Sequence, residues 1–236
     1  MPFCPDCSSF MSQIVFGSMD VYRCFGCGAV RRSDGAIIHC KKEDKSFKNG
    51  TRYIKTINID NYLVSTVRNG ITRTEYDTAT LSYLKKMSEE EFLSPNNKEV
   101  LFSYIDNIVY KESPIVDDEI FSRIIKLMNL KANKTLRSHF DAIVLENYQT
   151  TRSISGKNIV WSKCQSSSSY NRFRTREGCT GHILDLATQE IENAIVFSMK
   201  TDDEDSTVCI AARLLGFESL NKEEYDNLIG ICKSKF

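Results

Sequence analysis

Cys4 and Cys7, then Cys24 and Cys27, form two C-x-x-C pairs with sixteen residues between them. Two thiolates at that spacing reach one ion from a single turn, and two such turns complete a tetrahedral sulfur shell. The pattern predicts one structural Zn2+ held by Cys4, Cys7, Cys24 and Cys27. A closed shell leaves no position for water or substrate, so the predicted chemistry is folding and not catalysis. Gly28, directly after the second pair, gives the backbone the freedom such a turn needs.

A second group has the chemistry of nucleic-acid contact. Lys163, Tyr170, Arg172, Phe173, Arg174 and Arg176 combine cations for phosphates with aromatic faces for unpaired bases. Most of them fall in residues 165–178, whose serines and charges read as a polar loop. The competing reading is a solvated loop with a basic tint. A further basic stretch, Lys41, Lys42, Lys45, Lys48, Arg52 and Lys55, is diluted by Glu43 and Asp44.

Other candidates are incomplete. Cys179 and His182 have ligand spacing and Cys164 lies upstream, but a second zinc needs a fourth ligand such as His139 or Cys209. The alternative is a buried cysteine beside a helix-start histidine. Cys40 reads as a small core hydrophobe. Asp117-Asp118-Glu119 and Asp202-Asp203-Glu204-Asp205 are carboxylate clusters of the kind that hold magnesium, although the first also suits a helix start. No phosphate-binding glycine loop, H-E-x-x-H or G-x-S-x-G occurs.

The elements that must position these groups follow from periodicity. Apolar pairs between the cysteine pairs, and Asp34-Gly35 after them, predict short strands over a ribbon spanning 1–42. Residues 43–77 alternate as strands do and carry the hairpin signal Asn69-Gly70. From 78 to 236 helix dominates. Helices are expected at 78–87, after Ser88 with its capping-box Glu91, and over 98–110, 117–130 and 135–146. The last are expected over 181–199, 206–216 and 222–232. Two helices, a short turn and a hairpin tipped by Gly156 give 115–163 the order of a winged helix; a helical domain with one extra hairpin is the other reading. The expected fold class is α+β: a Cys4 zinc ribbon, a β-rich segment and a mainly helical body.

Composition narrows the setting. Basic and acidic residues balance at 31 each, so any nucleic-acid contact relies on local patches. Nine cysteines minus the four ligands leave an odd number, which argues against a disulfide framework. The three residues before Cys4 leave no room for a signal peptide, and no apolar run reaches the length of a membrane span. An intracellular protein, nuclear or cytoplasmic, is expected, with no membrane partner.

Phe3-Cys4-Pro5-Asp6-Cys7 and Tyr22-Arg23-Cys24-Phe25-Gly26-Cys27-Gly28-Ala29-Val30 resemble zinc ribbons of the transcription apparatus. The nearest in style are the N-terminal ribbons of the small zinc-ribbon RNA polymerase subunits and of TFIIB. The resemblance covers about forty of the 236 residues. It implies docking on an RNA polymerase or transcription complex, with DNA or RNA contacted by the rest of the chain. Transcript-cleavage ribbons carry an adjacent Asp-Glu pair on their hairpin. Between the two cysteine pairs this chain has only Asp20, so cleavage is not implied. A ribbon followed by a helical body is also the layout of late transcription factors in large DNA viruses. Two alternatives stay open: a zinc-stabilised nucleic-acid-processing enzyme or subunit, and a structural or virion interaction protein.

Overall fold

Short apolar runs, too brief for helices, build the first unit of the chain. β1 (Met11–Phe16) and β2 (Met19–Cys24) pair antiparallel, with Met11 opposite Cys24 and Phe16 opposite Met19. β3 (Val30–Arg32) and β4 (Ile37–His39) extend the sheet in the order β1-β2-β3-β4. The computed structural model describes residues 11–16, 19–24, 30–32, 37–39, 47, 50–81, 85–179, 181–199 and 203–235. It divides into two units, Met1–Thr51 and Arg52–Phe236.

The second unit is mixed α+β. The boundary falls inside β5 (Thr51–Tyr53), which leads to a short helix, α1 (Asp60–Leu63), and the hairpin β6 (Val67–Arg68) and β7 (Ile71–Glu75). Asn69 and Gly70 both take positive φ, 51° and 76°, as a tight two-residue turn requires. The residues after it do not form the expected helix: Asp77–Leu81 and Lys85–Ser88 are irregular. Ser88 explains where helix starts, because its hydroxyl accepts from the Glu91 amide while the Glu91 carboxylate accepts from the Ser88 amide, the reciprocal cap of α2 (Glu89–Leu93).

The central part then runs helix, strand, helix, helix, strand, strand. α3 (Lys98–Glu112) is followed by β8 (Ile115–Val116), α4 (Asp117–Met128), α5 (Lys134–Asn147), β9 (Gln149–Arg152) and β10 (Asn158–Trp161). The three strands make one antiparallel sheet in the order β8-β10-β9. α4 ends on Asn129 in the left-handed conformation, and α5 starts with the Asn133 side chain accepting from the Leu136 amide. Apolar residues at helical spacing meet in one core: Leu101, Ile105 and Ile108 from α3, Ile120 and Ile124 from α4, Leu136 and Phe140 from α5.

The remaining elements form a second core from two separated stretches of sequence. β11 (Arg172–Thr175) pairs in parallel with β7, in the sheet order β11-β7-β6. The stretch expected to be a polar loop is therefore a strand in part. Phe173 points into the core, and the neighbouring Arg174 is buried by ion pairing that sequence periodicity does not register. α6 (Thr188–Ser198), α7 (Glu204–Leu214), β12 (Ser219–Asn221) and α8 (Lys222–Lys235) complete this half, with β12 paired to β5. The helix expected from 181 begins only at Thr188, after a single 3-10 turn over Ile183–Asp185. Ile54, Tyr62 and Phe173 share its core with Ile191, Ile195, Val208 and Leu228.

Candidate functional site

One guanidinium ties α4 to α5, and the β9–β10 hairpin joins them through the same two α4 carboxylates. Arg137 of α5 donates to Asp117 at 2.5 Å and Asp118 at 2.5 Å, both in the first turn of α4, and to Asp141 at 2.7 Å. Lys157 at the hairpin tip reaches Asp118 at 2.9 Å, and that bond, ahead of the Arg137 charge, holds the Asp118 carboxyl below its ordinary pKa. Asn158 donates to Asp117 at 3.0 Å. Asp117 and Asp118 of the first carboxylate cluster are thus consumed in fixing one helix and one hairpin against another.

What α5 leaves outward is different. Lys134, Thr135, Ser138, Ala142 and Leu145 are exposed and recur at one-turn spacing, so they form one face. Lys126 in the last turn of α4, Lys131 in the α4–α5 connection and Arg152 on the hairpin are exposed as well. None of Lys126, Lys131 and Lys134 has an ion-pair partner among the described residues. Glu146, the free-looking acid on this helix, is paired to Lys98 at 2.5 Å.

The six residues singled out in the sequence for nucleic-acid contact do not share a surface. Phe173 is fully buried against Phe197. Arg174 is buried too, donating to both Glu190 oxygens at 2.7 and 2.9 Å, to the Pro114 carbonyl at 2.5 Å and to the Glu112 carbonyl. Arg176 donates to Glu190 at 3.0 Å and lies over the Tyr76 ring. Tyr170 packs edge-on against Trp161. Only Lys163 and Arg172 are exposed, and each sits over aromatic rings, Lys163 over Phe102 and Tyr148, Arg172 over Tyr170. Phe173 is thus a core residue, and Arg174 and Arg176 form a structural clamp on Glu190. A buried arginine beside a carboxylate that accepts from two guanidiniums is too well paired to reach a phosphate.

That clamp borders a cleft of about 1690 Å³ within the second unit. Its walls include Tyr76, Glu119, Lys157, Arg176, Glu190 and Arg213. Burial pushes the Glu190 carboxyl up, but the Arg174 and Arg176 charges outweigh it and hold the pKa well below the ordinary value. Burial, then the Glu119 charge and the hydrogen bond to Glu112, raise the Tyr76 phenol, so it stays a donor, to Glu112 at 2.5 Å. Glu119 is solvent-accessible, yet the surrounding walls and the Glu112 charge raise its carboxyl above the usual range. Arg213 and Glu190 carried no signal in the sequence, because each reads as a routine helix-end charge.

Of the predicted zinc ligands, Cys4, Cys7 and Cys27 lie outside the described residues, and Cys24 is described only as the last residue of β2. The second acidic cluster is engaged where it is described: Asp205 pairs with Arg52 through both oxygens and accepts from Tyr225 at 2.6 Å, and Asp203 caps α7. Among the described residues no group of three or more His, Cys, Asp or Glu side chains is placed to hold a metal ion. Cys179 donates to the Leu215 carbonyl, and burial raises its thiol, while His182 sits on Glu224 at 3.2 Å. No helix among the described residues is long and apolar enough to cross a membrane. Compared with protein-family models, curated proteins and solved structures, the chain matches none of them.

Proposed function

We propose that this is a transcription protein in which an N-terminal Cys4 zinc ribbon docks on an RNA polymerase or transcription complex and a winged-helix module in the body contacts duplex DNA. The carrying observation is the sheet order β8-β10-β9 wrapped around three helices in the sequence α3, β8, α4, α5, β9, β10. That is the connectivity in which the helix before the hairpin enters a major groove and the hairpin lies beside it as a wing. Here the inserting helix is α5, and Thr135, Ser138, Ala142 and Leu145 face the bases. Lys126, Lys131, Lys134 and Arg152 take the flanking phosphates. A helix enters the major groove of B-form DNA but not the deep, narrow one of A-form RNA, so DNA is the partner.

The ribbon reading draws support from the β1–β2 register. Met11, four residues after Cys7, lies opposite Cys24, so in sequence both C-x-x-C pairs adjoin the open end of the same hairpin. Cys4, Cys7, Cys24 and Cys27 would hold the zinc, which would supply folding energy to the ribbon.

Anisotropy of a labelled DNA duplex, titrated across salt concentrations, tests the module. Binding should weaken steeply with salt, and Lys131→Gln with Lys134→Gln should flatten the log–log slope by about 2, at ~0.9 per phosphate contact. Binding that is absent, or a slope unmoved by the pair, sinks the DNA reading. A nuclease-treated pull-down tests the ribbon: large polymerase subunits should be recovered with the wild type and lost with Cys24→Ser, Cys27→Ser.

A further inference from the structure

The outward face of α5 limits which bases it can read. The exposed residues of this helix are Lys134, Thr135, Ser138, Ala142, Leu145 and Glu146. Sequence in a major groove is read by hydrogen bonds to base edges or by apolar contact. Arginine or lysine suits guanine, asparagine or glutamine suits adenine, and a carboxylate suits the cytosine amine. A methyl or larger apolar group meets the 5-methyl of thymine.

The polar readers that α5 carries are spent within the protein. Arg137 holds Asp117, Asp118 and Asp141. The Asn133 side chain, at the cap, accepts from the Leu136 amide and donates to Glu89 at 2.9 Å. Asn147 donates to the Ile143 carbonyl at 2.8 Å. Glu146 is paired with Lys98. His139 Nε2 is buried. Lys134 is given to a phosphate in the proposed docking. The hydroxyls of Thr135 and Ser138 remain, and a hydroxyl bonds to either kind of base pair, so it does not choose.

What remains to choose is apolar. Thr135 carries a methyl, Ala142 is a methyl, and Leu145 is 68% exposed. Thr135, Ser138, Ala142 and Leu145 follow one another at three or four residues, so they stand in one row. At 1.5 Å per residue the row is about 15 Å long, the rise of roughly four base-pair steps. Water wets these groups in the free protein, and a thymine methyl laid against them removes apolar surface on both partners.

We infer that the α5 face reads thymine 5-methyl groups, so that the duplex it prefers is rich in A·T pairs. This rests on the winged-helix reading proposed above and adds to it which sequence is preferred and by which side chains, chiefly Leu145 and Thr135.

The test is anisotropy of the full, zinc-loaded chain at one fixed salt concentration with three labelled duplexes of equal length. One is alternating dA·dT, the second is the same duplex with deoxyuridine for every thymidine, and the third is alternating dG·dC. Deoxyuridine differs from thymidine only by the missing methyl. The dA·dT duplex should bind about tenfold or more tighter than its deoxyuridine form, at about fourfold per covered methyl. The salt slope should be the same for both, because no phosphate contact is lost. The dG·dC duplex should bind no better than the deoxyuridine one. Leu145→Ala, and Thr135→Ser, which keeps the hydroxyl, are changes at exposed positions. Each should lower dA·dT affinity about threefold and leave deoxyuridine affinity unchanged, a pattern that a merely structural role would not produce. Equal affinity for the thymidine and deoxyuridine duplexes, or a ratio that neither variant narrows, overturns the inference and leaves the DNA reading standing. Binding to none of the three overturns both.

Discussion

Two basic stretches of this chain meet opposite fates. β11 and the residue after it carry Arg172, Arg174 and Arg176 within five residues, yet two of the three are drawn inward to a single carboxylate, Glu190. The end of α4, the connection after it and the start of α5 carry the sparser Lys126, Lys131 and Lys134, and all three remain exposed with no ion pair among the described residues. Density of charge in a sequence therefore does not forecast charge at a surface. What decides is whether the fold brings a buried partner within reach of the side chain, as Glu190 is for Arg174 and Arg176. Arginine suits the inward role because its planar fork satisfies a carboxylate and backbone carbonyls at once, as Arg174 does; lysine suits the outward one.

The comparison can be broken in several ways, beginning with the largest effect. The metal should matter to the first unit and not to the second. A strong chelator should abolish cooperative folding of the ribbon, while Trp161, the chain's one tryptophan and fully buried in the second unit, keeps its emission. A parallel loss of tryptophan signal would show that the units are not independent in this respect.

Next comes the clamp. Glu190→Gln leaves Arg174 buried without its charge partner and should cost roughly 3–5 kcal/mol in urea denaturation followed at Trp161. A cost within ordinary surface scatter would mean the arginines are not committed. The same carboxylate fixes a pH dependence. Its folded pKa lies below the unfolded value, so its contribution is complete above the ordinary 4.5 and is lost as pH falls toward about 2. Wild type should thus lose stability across that window more steeply than Glu190→Gln, and equal slopes would refute the assignment.

The outward lysines should behave in the reverse manner. Lys134→Gln should leave the unfolding midpoint within about 0.5 kcal/mol of wild type while lowering duplex affinity severalfold. Smallest is the cap between the two helices: Asn133→Ala should cost about 1 kcal/mol, read as a midpoint shift without change of slope.

Much of the helical part was legible because its signals are local. Ser88 and Glu91 announce their own cap, Asn69-Gly70 its own turn, and α3, α4 and α5 lie within two residues of the spans that their apolar spacing indicates. Residues 78–87 misled because Leu81 and Met87 have helical spacing, yet Ala79 and Met87 are buried in the central core without helix around them. The fate of β11 was illegible for a different reason. Its partner strand β7 lies about a hundred residues earlier, and its arginines are claimed by a glutamate on α6. The approach of Arg176 to the end of α7 was hidden likewise, since it depends on the absence of a side chain at Gly216, where a Cβ would lie 2.7 Å from the Arg176 carbonyl oxygen.

The parallel pairing of β7 with β11 also sets an order of events during synthesis. The second core needs Ile54 and Tyr62 from before the central module and Leu228 from the last helix, so it cannot close until almost the whole chain has left the ribosome. The module between, complete by Trp161, has all its helices and strands in one continuous stretch and is free to fold while the rest is still being made. The central module would then be born first, and the arginine clamp at β11 would fasten it afterwards to a half that is still waiting for its last helix.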